Sequence, residues 1–289
     1  MENPPETTAK DVLAVLDSLA PPDLAEEWDN VGLMVGDPSW PVTRILLALD
    51  PLETVLEEAA DKGCDCVVTH HPLFFKPLKK LDLSQPGARV AALCIQAKTS
   101  LFCMHTNLDK AAGGVNAVLA KCLSLAGVCG MGPCGPEDAP GKDGFLGLWG
   151  SLPSPMPLAE FASFAGKKLS AGQVRVSGPR DLVVTRAAVC AGSGGSLLEE
   201  FFKSPAQVLV SGDLGYVRKI RRAWPGGGNI GVGERKGPLC PFLRAEAGGC
   251  VERSNRPSGS AAGYRQRGGG GQKPPQGMRR PHQGPGEQA

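Results

Sequence analysis

The chain has 289 residues, 42% of them hydrophobic, and a formal net charge of +2, which is enough for one large or two modest domains with a sizeable core and no disulfide support. No apolar run reaches the ~18 to 20 residues of a spanning helix, and the start, Met1-Glu-Asn-Pro-Pro-Glu6, lacks the basic-then-apolar pattern of a signal peptide. Membrane-spanning and exported classes are thereby disfavoured, and the expectation is a soluble, cytoplasmic protein.

The elements follow in chain order. Thr8 with Val12, Leu13, Val15, Leu16 and Leu19 reads as an amphipathic first helix that ends at Pro21-Pro22. Ile45 to Leu49 reads as a buried strand, with Asp50 capping a following helix that has Pro51 at its first position and Val55, Leu56, Ala59 and Ala60 inside. Cys66 to Thr69 is the next strand, Val90 to Ile95 a helix, Ser100 to Met104 a third strand, and Gly114 to Cys122 a further helix. This first α/β half spans 1–126. Turn-formers fill 127–143, a linker without apolar periodicity. A second, incomplete half spans 144–216, with strands at Gly144 to Leu152, Val183 to Cys190 and Val208 to Ser211 and helices at Leu158 to Leu169 and Ser196 to Phe202. The alternation predicts an α/β fold with mixed sheets flanked by helices in two similar halves.

After Tyr216 the composition changes. Residues 217–289 hold 14 Lys and Arg against 4 Glu, a net charge of +10, whereas residues 1–216 hold 17 basic and 25 acidic groups, a net charge of −8. The basic stretch contains 17 Gly, 8 Pro and 11 Arg with no Asp, a composition that predicts a disordered tail. Few aromatics interleave its charges, so a nucleic-acid-binding arm is disfavoured. The abruptness of the change suggests instead a reading frame that slips near residue 217 of a GC-rich gene.

Ten cysteines are scattered, several in apolar runs such as Leu101-Phe-Cys-Met104, as expected of small buried hydrophobes in a reducing compartment. Cys64-Asp-Cys66 has no second pair at zinc-finger spacing and reads as two half-buried strand residues.

Three of the four histidines fall in Thr69-His70-His71-Pro72 and His105-Thr-Asn-Leu-Asp109, each group directly after a predicted strand. Strand carboxyl ends are where crevices form in α/β sheets. Imidazoles and a carboxylate delivered there form a ligand mixture for Zn, Mn, Fe and related ions. Because neighbours on a strand point to opposite faces, His70 and His71 are expected to hold one ion each, with Pro72 keeping His71 extended. The competing reading makes His70 and His71 ordinary polar residues at a strand end and Asp109 a helix cap. His105 reads as a donor that supports a metal ligand, or as a structural histidine. Gly192-Ser-Gly-Gly195 reads as a tight turn rather than a phosphate loop. Trp28 reads as a packing anchor, with Asn30 holding its loop by local hydrogen bonds.

Glu27-Trp-Asp-Asn-Val-Gly-Leu-Met-Val-Gly-Asp37, Val68-Thr-His-His-Pro-Leu-Phe-Phe75, His105 to Asp109 with Gly113-Gly-Val-Asn116, and Val189-Cys-Ala-Gly-Ser-Gly-Gly-Ser196 together resemble the Nif-three-like family, whose bacterial members are often labelled GTP cyclohydrolase 1 type 2 homologues. The resemblance covers about residues 8–216. It implies a dinuclear centre of divalent metal ions in a Nif-three-like α/β fold that assembles as a toroidal homohexamer. It also implies that His70, His71 and Asp109 are metal ligands. The family's further His and Glu ligands, from a carboxyl-terminal His-x-x-x-Glu-like segment, have no counterpart: His282 lies in the tail, and Glu234 stands where a His is expected. With one bridging carboxylate lost, weakened binding of the second ion is expected.

Two classes of function follow. One is a metal-dependent hydrolase of the cyclohydrolase kind, in which the ions activate water. The other is a non-catalytic metal-binding scaffold, or an inactive product lacking the last ligands, for which the shortage of acid and base groups beyond the ligands speaks. No catalytic residue is assigned from the sequence.

Overall fold

A computed structural model of the chain describes residues 7–131, 144–213 and 228–232. The first half is built on a four-stranded sheet. Its elements are helix α1 (Ala9–Leu19), strands β1 (Gly32–Val35) and β2 (Ile45–Ala48), helix α2 (Glu53–Asp61), strand β3 (Cys66–Thr69), helix α3 (Pro86–Ala97), strand β4 (Ser100–Cys103) and helices α4 (Thr106–Lys110) and α5 (Val115–Cys122). The strand order is β1-β4-β3-β2, with β2, β3 and β4 parallel and β1 antiparallel at the edge.

Every residue of β3 and β4 is buried, because helices cover both faces of the sheet. Alternation divides the side chains between two layers. Cys66, Val68 and Phe102 pack with Ala9 and Val12 of α1 and with Leu108 of α4. Val67 and Leu101 pack with Val55, Leu56 and Ala59 of α2 and with Val90 and Cys94 of α3. The two layers hold the carboxyl ends of β2, β3 and β4 side by side, and those ends carry Asp50, His70 with His71, and His105.

The helix after β2 starts later than expected. It begins at Glu53 with Leu52 as its N-cap, so Asp50 does not cap it. The carboxylate of Asp50 turns instead to His71.

The second half adds strands β5 (Ala126–Gly130) and β6 (Leu148–Pro157), helix α6 (Leu158–Lys168), strands β7 (Val174–Ser177) and β8 (Val183–Ser193), helix α7 (Leu198–Lys203), and strands β9 (Val208–Asp213) and β10 (Gly228–Val232). The order is β5-β6-β8-β9-β10-β7 in a mixed sheet. Leu158, Phe161 and Ala165 of α6 pack with Val184, Val189, Val208 and Val210. The α/β class with mixed sheets is as expected from the alternation.

Four strands depart from the sequence reading, all through non-local pairing, the first being β1, which is held antiparallel against β4. β5 runs into the turn-rich segment because Cys129 and Gly130 find Trp149 and Leu148 across the ladder. β7 is a four-residue alternation that the sequence reading did not assign, and it is held by β10. β10 lies within the segment assigned to the tail, yet it pairs parallel with β9 and antiparallel with β7. The linker residues 132–143, the rest of the 217–289 tail, Glu234 and His282 lie outside the described residues. Among the described residues no helix is long and apolar enough to cross a membrane.

Two residues fix the metal-motif loop, and the second of them joins it to the second sheet. Gly114 brings the α4–α5 turn so close that a Cβ there would lie 1.8 Å from the carbonyl oxygen of Leu108. Asn116, 1% exposed, donates from Nδ2 to the carbonyls of Asp109 at 3.1 Å and Leu146 at 2.8 Å, and its Oδ1 accepts the amide of Ala191 at 2.7 Å. One buried amide thus links α4, the entry to β6 and the end of β8, and satisfies three backbone groups that would otherwise be stranded.

Candidate metal centre

β3 ends at Thr69, but its hydrogen bonds to the β2 side continue. The amides of His70 and His71 donate to the carbonyls of Ala48 (3.3 Å) and Leu49 (2.9 Å). The hydroxyl of Thr69 donates to the carbonyls of His71 and Phe102. The two histidines are therefore fixed by the sheet, and the regular strand alternation stops before them. Their rings do not diverge to opposite faces as the sequence reading expected. They lie 5.1 Å apart between centroids, and His105, at the end of β4, lies 5.1 Å from His70 and 5.7 Å from His71. One ring nitrogen of each residue lies within 4.8 Å of the others.

Each ring is oriented by a bond at Nδ1. His70 donates to the carbonyl of Met104 at 2.9 Å, His71 to the carboxylate of Asp50 at 2.7 Å, and His105 to the carboxylate of Asp29 at 2.9 Å. A backbone carbonyl can only accept, so the proton of His70 sits on Nδ1 and Nε2 carries a lone pair. The two carboxylates favour the same Nδ1–H tautomer for His71 and His105 in their neutral, metal-binding forms. Three lone pairs, each backed by an acceptor behind its ring, make the arrangement with which proteins orient metal-binding imidazoles.

Asp109, on α4, completes the group from below. Its Oδ1 lies 3.7 Å from Nε2 of His70 and accepts no hydrogen bond from any described residue. Burial, with the charge of Asp29 nearby, pushes the Asp109 carboxyl up to about 7. Burial, together with the neighbouring His105 and His71, pushes His70 down to about 4. Without a cation both groups are driven towards their neutral forms, the response of buried ionisable groups that lack a compensating charge. Asp29 behaves oppositely. Burial raises its pKa, but hydrogen bonds from Thr106, His105 and the backbone amides of Thr106 and Asn30 outweigh burial, and the net shift is downward.

A cavity of about 790 Å³ opens beside the cluster, lined by His71 and His105 together with Asp50, Glu53, Leu73 and Phe75. Trp28 lies beside it, 6.1 Å from His105 and 6.2 Å from Phe75. At 59% exposed, Trp28 is no packing anchor. Its loop is held by Asn30, which bonds to its neighbour Asp29 but also donates from Nδ2 to the carbonyl of Phe74, 44 residues away. The expected local bonds are only part of that support.

Sequence reasoning found the histidines and Asp109 but missed Asp29 and Asp50 as their partners. Asp29 sits inside the quoted Trp-Asp-Asn motif, and Asp50 follows a parallel strand directly, the position from which a carboxylate reaches such a site. Gly192 to Gly195 is a self-satisfied turn: the amide of Gly194 donates to the hydroxyl of Ser211, which donates to the carbonyl of Gly192. Cys64 and Cys66 are both buried rather than half-buried, and only Cys66 lies in a strand; burial pushes Cys66 up to about 12, which suits a packing role.

The chain is similar to several known proteins. The chain is 36% identical over 206 residues, 71% of its length and 72% of the relative's, to a Streptomyces coelicolor protein named GTP cyclohydrolase 1 type 2 homolog. It is 30% identical over 206 residues to the Clostridium perfringens protein of the same name, covering 71% and 77% of the two chains. Among solved structures, a hypothetical protein from Staphylococcus aureus superposes with a TM-score of 0.70 at 27% identity, over 78% of this chain and 86% of that one. A Bacillus cereus protein related to NIF3 gives 0.71 at 23% identity, over 80% and 89%, and supports the fold alone. Residues 7–222 match the family described as Duf34/NIF3 (NGG1p interacting factor 3), and with that match covering the first sheet, every strand of the second except β10, and the histidine cluster with Asp109, the chain belongs to the DUF34/NIF3 family.

Proposed function

We propose that the chain is a divalent-metal-binding protein with His70, His71 and Asp109 among its ligands, and that its centre serves a metal-dependent hydrolase of the cyclohydrolase kind. The observation that carries the reading is the pair formed by the Nε2 lone pair of His70 and the unpartnered Oδ1 of Asp109 at 3.7 Å. With Asp109 ionised the two face one another as buried acceptors, and a cation between them converts the repulsion into two favourable bonds. Imidazole with carboxylate favours Zn, Fe, Mn or a similar ion, and such an ion would supply an activated water or a Lewis acid. Complete members of the family would hold two ions per subunit. The names of the curated relatives support the hydrolytic reading, and the adjoining cavity has the size of a small-molecule site.

The second reading is a non-catalytic metal-binding scaffold. It is favoured by the way every histidine of the cluster is already tied at Nδ1, while the cavity-wall carboxylates Asp50 and Glu53 are engaged by His71 and Arg89. A homo-oligomer, by resemblance a hexamer, accompanies both readings. The exposed apolar residues Leu78, Leu81, Leu83 and Ile95 support it, and a cytoplasmic location is part of the same proposal.

Elemental analysis of the full chain and of a His70→Ala/His71→Ala variant tests the metal reading. Ions bound by the first and absent from the second support it, and equal content in both overturns it. Hydrolysis of GTP by the metal-loaded chain, lost in the variant, separates enzyme from scaffold.

A further inference from the structure

The sequence reading made His105 a donor to some other ligand. No hydrogen bond among the described residues joins His105 to His70, His71 or Asp109, so it has no contact through which to play that part. Its Nδ1 is committed to Asp29, 2.9 Å away, and its Nε2 is the nitrogen left to the cluster. Asp29 has a side chain with 0% exposure and also accepts the amide and hydroxyl of Thr106 and the amide of Asn30. Such a wholly buried, fully bonded carboxylate is a rigid post. Trp28 and Phe75 meet the His105 ring edge-on, at 6.1 and 5.7 Å, and limit its rotation.

His70, His105 and Asp109 are the more enclosed members, with side chains 13%, 13% and 11% exposed, whereas His71 is 43% exposed. His71 and His105 both line the cavity. The cavity lining, rather than exposure, divides the cluster: His71 and His105 form its outer side, and His70 and Asp109, which are not part of that lining, its inner side.

We propose that His105 is itself a metal ligand, which joins His71 on an ion facing the cavity, and that Asp29 positions it. The inference rests on the reading of His70 and His71 as metal ligands. The outer ion, held by imidazoles and open to the cavity, is the one that meets a bound small molecule, while the inner ion is closed in by α4. An imidazole pair selects a borderline ion such as Zn²⁺ over Mg²⁺.

Long-range proton–nitrogen NMR of the histidine rings in the full chain tests this without a substitution at the site, with Zn²⁺ as the probe and Mg²⁺ as the control. The expected result is that the Nε2 resonance of His105 moves with those of His70 and His71 on addition of Zn²⁺ and stays in place with Mg²⁺. In an Asp29→Asn variant the His105 and His71 shifts should need roughly 10- to 100-fold more Zn²⁺, the usual effect of losing a carboxylate behind a ligating imidazole, while the His70 shift keeps its midpoint. Movement of His70 and His71 with His105 unchanged overturns the proposal and leaves the metal reading standing. If none of the three responds to Zn²⁺, the metal reading fails and takes the proposal with it.

Discussion

Nε2 of His70 stands 3.7 Å from Oδ1 of Asp109, a separation too long for a hydrogen bond and too short for two buried acceptors to ignore one another. The pair ties the end of β3 to α4 through a contact that is unfavourable until charge is added.

Asp109→Asn tests that balance. The amide removes the buried ionisable carboxyl and can turn an N–H donor towards Nε2 of His70, so the metal-free variant should melt no lower than the parent. Added Zn²⁺ should raise the parent's melting temperature, and the variant should lose most of that rise, with affinity down at least about tenfold, or ~1.4 kcal/mol. Differential scanning calorimetry with and without Zn²⁺ reads both; a variant stabilised by Zn²⁺ as strongly as the parent would remove Asp109 from the ligand set.

Asn116→Ala should cost about 3 kcal/mol, because it strands the buried carbonyls of Asp109 and Leu146 and the amide of Ala191 together. Urea unfolding gives the loss directly. A cost below about 0.5 kcal/mol, the level of an ordinary surface change, would mean that the junction between the two halves is held elsewhere.

Gly114→Ala is a steric test. The new methyl would meet the carbonyl of Leu108 at 1.8 Å, so the α4–α5 turn must open and carry Asp109 with it. A loss of ~2 kcal/mol or more is expected, along with weaker metal binding. A variant crystal structure with Asp109 unmoved would contradict the account.

Asp65 provides the pH test, well away from the cluster. Burial raises its pKa, but the hydroxyl and amide of Thr43 and the amide of Arg44 lower it further, and the net shift is downward. A depressed carboxylate contributes stability above its unfolded pKa and loses it as the pH falls through the folded pKa. Asp65→Asn should therefore be less stable than the parent at neutral pH, and the gap should close as the pH falls below about 4. A gap that persists at pH 2 would point to lost packing rather than lost charge.

The parts legible in the sequence are those governed by short-range signals. The run Cys66-Val-Val-Thr69 has no room for anything but a strand buried on both faces, and the histidines that follow inherit its end. What stayed hidden depended on distant partners. Asp50 looked like a helix cap because Pro51 follows it, and only the three-dimensional nearness of β3 assigns it to His71. The expectation that His70 and His71 diverge extended strand alternation one step past Thr69, where the strand has ended. His105 could not be placed against Asp29, 76 residues away, by any local pattern. β10 was lost because a Gly-rich window averages out a five-residue strand whose pairing comes from β9 and β7.

β10 has a bearing on how a shortened chain would behave. It is the sole link between β9 and β7 in the sheet order, so a chain cut before residue 228 would uncover the ladder groups of both strands at once. Bare sheet edges recruit edges from other molecules. Such a truncation should therefore show itself first as aggregation during expression, even with the histidine cluster on the other sheet left whole.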